Sequence, residues 1–203
     1  MHNPIRRSRK IGKTQGGRVN FDGKATEKWS RSSQHQDLYT RLSENGDRWQ
    51  ILRENPSRDY YHPCSGEDYV GVLRRLPPVY ADRVAAILLS KLSKKDERRG
   101  IDARRRYRCV LMNAFPKSNE MAWSYRPLEV DRRHMAPWCD RWRTDGGRWR
   151  LVWTPDEVRR YYLYHVFLHE VGHINQPWFH ALKRRESFAE DFALQWARAF
   201  GEL

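Results

Sequence analysis

The segment TPDEVRRYYLYHVFLHEVGHIN, residues 154–175, carries the clearest structural signals in the chain. Thr154 can cap a helix through its hydroxyl, Pro155 suits the first helical position, and Glu157 stands where its side chain completes a capping box. Acidic residues in the first turn also complement the helix dipole. We therefore expect a helix that begins after Thr154 and ends before Pro177.

Two histidines of this helix, His169 and His173, lie four residues apart, so their imidazoles stand on one face, one turn apart. Both rings can then reach a single ion at about 2.0–2.1 Å, the usual distance between zinc and a histidine nitrogen. Glu170 is rotated away from the ligand direction, where its carboxylate can hold a metal-activated water and accept its proton. The pattern HExxH therefore predicts a zinc hydrolase site with Glu170 as the general base.

A helical wheel adds His165 to the face that carries the two histidines. Leu163, Phe167 and Val171 fall on the opposite face. We expect this helix to pack its apolar back on the core and to present its histidines to something polar.

Zinc in a hydrolase needs a third protein ligand and an open position for water. The best candidate is Glu186, in the segment ESFAEDFA, residues 186–193, at the edge of the apolar face of a second predicted helix. Glu190 lies one turn further and would accept a hydrogen bond from a ligand imidazole. His180 is the alternative, although it follows the motif by seven residues where HExxHxxGxxH requires six. Metal binding would relieve the repulsion between the two carboxylates.

The HEVGH motif followed by ESFAEDFA resembles the gluzincin branch of the zincin metallopeptidases, most closely the ImmA/IrrE-type intracellular peptidases. This resemblance implies that His169, His173 and Glu186 bind Zn2+ and that Glu170 is the general base. Two features depart from the family pattern. Only twelve residues separate the second histidine from Glu186, and Glu190 stands where the family has Asp or Asn.

The resemblance also implies a fold and an activity. The fold would be α+β and zincin-like, with a small twisted sheet packed on the HExxH helix and on a C-terminal helix that bears the glutamate. An edge strand of that sheet, residues 148–153 or 106–115, would align an extended polypeptide substrate. The activity would be that of a zinc-dependent endopeptidase. The oxyanion stabiliser is left open among Tyr161, Tyr162, Tyr164, His165 and His180.

Short strands and helices are predicted elsewhere in the chain. Apolar and β-branched runs indicate strands, and apolar periodicity closed by proline or glycine indicates helices. Residues 117–146 show little pattern, and we expect irregular structure there. The predicted strands cover residues 83–90, 106–115 and 148–153, and the predicted helices cover residues 67–76 and about 183–200.

The net charge of +14 is unevenly distributed over the 203 residues. Nine Lys and Arg face two Asp and Glu in the first 31 residues, and nine face three between Lys91 and Arg108. Residues 1–35 contain few large apolar side chains, so we expect a basic, disordered tail there. Residues 36–203 would form the zincin-like metallopeptidase domain.

Such positive charge draws a protein to nucleic acid or another polyanion by counterion release. An alternative function is therefore a basic protein that binds nucleic acid or an acidic partner and carries a structural or vestigial zinc site. The two functions can coexist, because a basic tail can bring a peptidase to DNA-bound proteins.

The cellular compartment is predicted from the cysteines and the absence of targeting signals. Cys64, Cys109 and Cys139 are odd in number and widely spaced, which favours a reducing compartment over a disulfide framework. No apolar run approaches the roughly 18 residues that cross a bilayer, and the N-terminus does not look like a secretory signal. We expect a cytoplasmic protein with no membrane partner.

Overall fold

The computed structural model describes residues 38–44, 48–92, 96–97, 100–123, 125–177 and 181–203. The tail predicted for residues 1–35 lies outside these ranges, and so does His180. The described chain is a mixed α+β fold with small sheets, which confirms the predicted class at that level. Its strands are β1 (Gln50–Arg53), β2 (Tyr60–Tyr61), β3 (Ala86–Ser90), β4 (Ala103–Arg106), β5 (Cys109–Asn113), β6 (Phe115–Pro116), β7 (Glu120–Trp123), β8 (Trp142–Asp145) and β9 (Arg148–Val152).

The helices include one long rod that contains the HEVGH motif. Its three consecutive parts are helix α5 (Pro155–Tyr161), the π-helical turn Tyr162–Phe167 and helix α6 (Leu168–Asn175). Thr154 caps the rod and forms the capping box with Glu157, as predicted. The helices are α1 (38–44), α2 (Gly66–Arg75), α3 (Pro78–Ala81), α4 (Glu129–Met135), α5 (Pro155–Tyr161), α6 (Leu168–Asn175) and α7 (Leu182–Ala199).

The largest sheet has the strand order β1-β3-β5-β4. β1, β3 and β5 are parallel, and β4 pairs antiparallel with β5. β3 is buried on both faces, which its continuous apolar sequence favours. Ile87 and Leu89 pack into the main core, whereas Ala86 and Leu88 face Leu42 of α1.

A second sheet has the order β7-β9-β8, with both pairings antiparallel. Gly146 and Gly147 join β8 to β9 with φ values of 53° and 77°, which suit a tight hairpin turn. The expectation of irregular structure for residues 117–146 is therefore wrong, because β7, α4 and β8 lie in that segment. Pairing with β9 creates these strands, and their own sequences carry little strand signal.

The predicted edge strands are also wrong. β5, the strand within residues 106–115, lies inside the first sheet, and β9, the strand within residues 148–153, lies inside the second, so neither is an edge. In the part of the chain that the structure describes, β4 is the edge next to the HEVGH helix, since it packs against α6. Its sequence Ala-Arg-Arg-Arg has no apolar alternation, and pairing with β5 forms it.

A helix that crosses a bilayer must be both long and apolar. Among the described residues, no helix combines the length and the apolar character that such a span requires.

Candidate metal centre

The site begins with a close approach of two helices, α6 and α7. A Cβ atom built on Gly172 would lie 3.0 Å from the Cα of Ala189 and 3.1 Å from the Cβ of Phe192. Only a residue without a side chain leaves this room, so the glycine inside HEVGH lets the backbones come together. Ala189 presents a small side chain at the same place and is fully buried. The approach brings the imidazoles of α6 next to the carboxylates of α7.

Three predicted ligands converge at this contact. His169 Nε2 lies 3.6 Å from Glu186 Oε2, and His173 Nε2 lies 3.7 Å from Glu186 Oε1. The three donor atoms all lie within 4.8 Å of one another. Ligand atoms about 2.0–2.1 Å from a tetrahedral zinc are about 3.3 Å apart, so a small inward shift would place all three at bonding distance.

The ring nitrogens that face away from this centre also have partners. Gln176 Oε1 lies 3.0 Å from His173 Nδ1 and can accept a hydrogen bond from it. Glu190 Oε2 lies 3.4 Å from His169 Nδ1. A proton held on Nδ1 leaves the Nε2 lone pair free, which is the tautomer that a metal ligand needs. Glu190 lies at ion-pair distance from this ligand imidazole, and its role as the hydrogen-bond acceptor of that ring stays a prediction.

The histidine and glutamate side chains of this cluster shift one another's pKa values strongly. Burial alone would lower the pKa of His169, but its interactions with Glu186 and Glu190 outweigh burial and raise that pKa to about 10. Burial alone would raise the pKa of Glu186, but the two histidines outweigh it and lower that pKa to about 2. Both values mean that the carboxylate is ionised and that a proton occupies His169 at neutral pH. A divalent cation can take the place of that proton.

Glu170 is half-buried on α6, which packs against β4. The pKa of Arg105 is lowered, chiefly by desolvation, and the nearby Glu170 carboxylate partly offsets the shift. Glu170 acts on Arg104 in the same direction. The predicted general base is therefore close enough to His169 and to the two arginines of the edge strand to interact with them electrostatically.

His165 lies next to His169, as the helical wheel predicts, with their ring centroids 6.3 Å apart, but it contacts Glu190 and is not part of the group formed by His169, His173 and Glu186. Its Nε2 lies 3.1 Å from Glu190 Oε1, and the side chain is buried. His134 of α4, a residue that the sequence did not single out, lies on the same carboxylate.

The tyrosines proposed for the oxyanion lie elsewhere. Tyr161 and Tyr162 are buried in the core, and the hydroxyl of Tyr164 accepts a hydrogen bond from Arg75. We assign no oxyanion role to them. Gln176 and Arg105 were also missed by sequence reasoning. The position of Gln176, three residues after His173 at the helix end, was the one signal that could have found it.

Two arginines of the basic segment between Lys91 and Arg108 form contacts within the fold. Arg108 donates hydrogen bonds to the backbone carbonyls of Ser43, Asp82 and Arg83. Arg104 pairs with Asp96. These two cations tie strands and loops together, which reduces the charge that this segment offers to a polyanion.

Comparison with known proteins identifies no relative of this chain. No protein-family model, no curated protein and no solved structure matches the chain. The assignment therefore depends on the residues and their arrangement.

Proposed function

We propose that this protein is a zinc-dependent metallopeptidase with a zincin-like fold. His169, His173 and Glu186 would hold the zinc ion, and Glu170 would act as the general base. The observation that carries the proposal is the convergence of the three donor atoms within 4.8 Å of one another beside the glutamate of the same motif.

The donor set fits zinc in chemistry and in number. Two imidazoles and one carboxylate form the ligand set of several zinc hydrolases, and they leave a fourth position for water. When bound, zinc polarises a carbonyl oxygen and lowers the pKa of a water molecule. Harder cations such as Mg2+ prefer sites built from oxygen ligands, so the two nitrogen donors favour zinc.

Glu170 moves the protons in this proposal. Its carboxylate accepts a proton from the attacking water and then delivers that proton to the leaving amine. The half-buried position beside His169 supports this role, because a carboxylate there is close to the metal site without being a ligand.

The edge strand β4 supports an extended polypeptide as the substrate. An edge strand presents unpaired backbone groups, and an extended peptide can add to it through backbone hydrogen bonds. β4 packs against α6, so a peptide paired with β4 would pass the catalytic helix. Arg105 on this strand adds positive charge beside the substrate path.

A cytoplasmic location belongs to the same proposal. Cys64, Cys109 and Cys139 are all free and buried. Free cysteines fit a reducing compartment, where a disulfide framework is not expected.

The direct test is Glu170→Gln in the zinc-loaded protein. We expect zinc content to stay at the wild-type level and cleavage of a denatured protein to fall by at least about a hundredfold, since general-base catalysis contributes about 10²–10⁴-fold. Glu67→Gln, an exposed glutamate in the first turn of α2, is the matched control and should cleave normally. Cleavage by Glu170→Gln at the wild-type rate would refute its role.

A further inference from the structure

A second cluster of metal-binding side chains lies behind the first. His134 comes from α4, His165 from the π-helical turn, and Glu190 from α7. His165 Nε2 lies 3.1 Å and His134 Nδ1 lies 3.4 Å from Glu190 Oε1. One donor atom from each residue lies within 4.8 Å of the other two. The cluster repeats the chemistry of the first site, two imidazoles and one carboxylate.

Both oxygens of Glu190 contact His165 Nε2, at 3.1 Å for Oε1 and 3.2 Å for Oε2. Oε1 also lies 3.4 Å from His134 Nδ1. Oε2 also lies 3.4 Å from His169 Nδ1, in the first site. One carboxylate can therefore orient a ligand of the first site and also act as a ligand in the second. The rings of His134 and His165 are 5.0 Å apart and inclined at 72°, so they approach a common point from two directions.

An open pocket of about 690 Å³ gives access to this cluster, and His134 and Glu190 are part of its lining. An ion therefore has an entry path and a free coordination position on the pocket side. Arg133, Arg160 and Arg198 also line the pocket. Their positive charge favours hydroxide or another anion as the fourth ligand over neutral water.

We propose that His134, His165 and Glu190 form a second divalent-cation site, which zinc fits best by its ligand set. Its ion ties α4 to the HEVGH helix and to α7 through one ligand from each. Binding to this cluster does not depend on peptidase activity. A proton on one imidazole is the competing way to hold the cluster together, and metal content separates the two.

The experiment measures zinc in the full-length chain. A chelator removes bound metal from the protein, which is then incubated with zinc chloride and desalted. Elemental mass spectrometry measures the number of zinc ions per chain. We expect about two ions per chain in the wild type and about one in His134→Gln. Glu186→Gln should also retain about one, and the double variant about none. His62→Gln is the matched control, because His62 contacts the Glu54 carbonyl and lies in neither cluster.

Each possible zinc count tests whether one of the two sites binds metal. Equal zinc content in the wild type and His134→Gln overturns the second site. A single ion that is lost in His134→Gln and kept in Glu186→Gln supports the second site and contradicts the proposed catalytic one. Titration of the metal-free wild type and of metal-free His134→Gln with Co2+, followed by visible absorption, gives a second count. Saturation of His134→Gln at about one equivalent less than the wild type supports the proposal, and equal saturation of the two overturns it.

Discussion

The imidazole of His169 lies between two carboxylates. Nε2 faces Glu186 at 3.6 Å, and Nδ1 faces Glu190 at 3.4 Å. This arrangement resolves the crowding of two glutamates one turn apart on α7, since each has an imidazole partner. The side chain can bind a proton or a metal ion at Nε2, but it cannot bind both.

Zinc binding should therefore release a proton. Because the pKa of His169 is raised to about 10, the metal-free protein carries a proton there at pH 8. We expect about one proton to be released per zinc ion bound to the catalytic site. Calorimetry in buffers of different ionisation enthalpy measures that number, and no release at pH 8 would contradict the charge state assigned to His169.

The stability of the metal-free protein should depend on pH in two windows. A raised pKa means that the contribution of His169 is complete below about pH 6.5 and is lost as pH rises toward about 10. A lowered pKa means that the contribution of Glu186 is complete above about pH 4.5 and is lost as pH falls toward about 2. Urea denaturation across these windows measures both slopes. A free energy of unfolding that stays flat from pH 6.5 to 10 would contradict the first.

At the scale of elements, the contact between α6 and α7 sets the position of the ligands. Their local signals were strong, and the helix starting at Thr154 and the last helix were both predicted from them. The π-helical turn was not predicted, because it depends on how the long helix packs and no residue type indicates it. β4 was missed for a similar reason, since its pairing with β5 decides a strand that three arginines do not favour.

Gly172→Ala tests this contact. The added methyl would lie 3.0 Å from the Ala189 backbone, and such overpacking costs about 1–3 kcal/mol, more than the gain of about 0.5–1 kcal/mol from alanine in a helix. We expect the free energy of unfolding to fall by about 1–2 kcal/mol and zinc affinity to fall with it. Gly71→Ala is the matched control. Nothing lies within 4 Å of its Cβ position, so it should stabilise the protein by about 0.5–1 kcal/mol. Equal stability of the two variants would contradict the account.

At the scale of the whole molecule, the site joins parts of the chain that are far apart in sequence. The two histidines and the two glutamates of α6 and α7 were found from their spacing, because local helix geometry fixes it. His134 carried no such signal, since it lies in the short helix α4, which only tertiary packing brings next to His165 and Glu190. Sequence periodicity cannot identify a residue that only tertiary packing brings to the site.

The excess positive charge is also a property of the whole chain. Residues 1–31 carry nine Lys and Arg against two Asp and Glu. Deleting residues 1–35 should weaken binding to duplex DNA and flatten its dependence on salt, by about 0.9 in the logarithmic slope for each DNA phosphate that the tail neutralises. Fluorescence anisotropy at several salt concentrations measures this slope. An unchanged slope would place any DNA-binding surface within residues 36–203.

The most direct test of the account is an anomalous-diffraction map collected at the zinc edge from crystals of the zinc-loaded protein. We predict a peak about 2.0–2.2 Å from the Nε2 atoms of His169 and His173 and from a carboxylate oxygen of Glu186. A map without a peak among these atoms, or with the three side chains turned away from one another, would contradict the central claim.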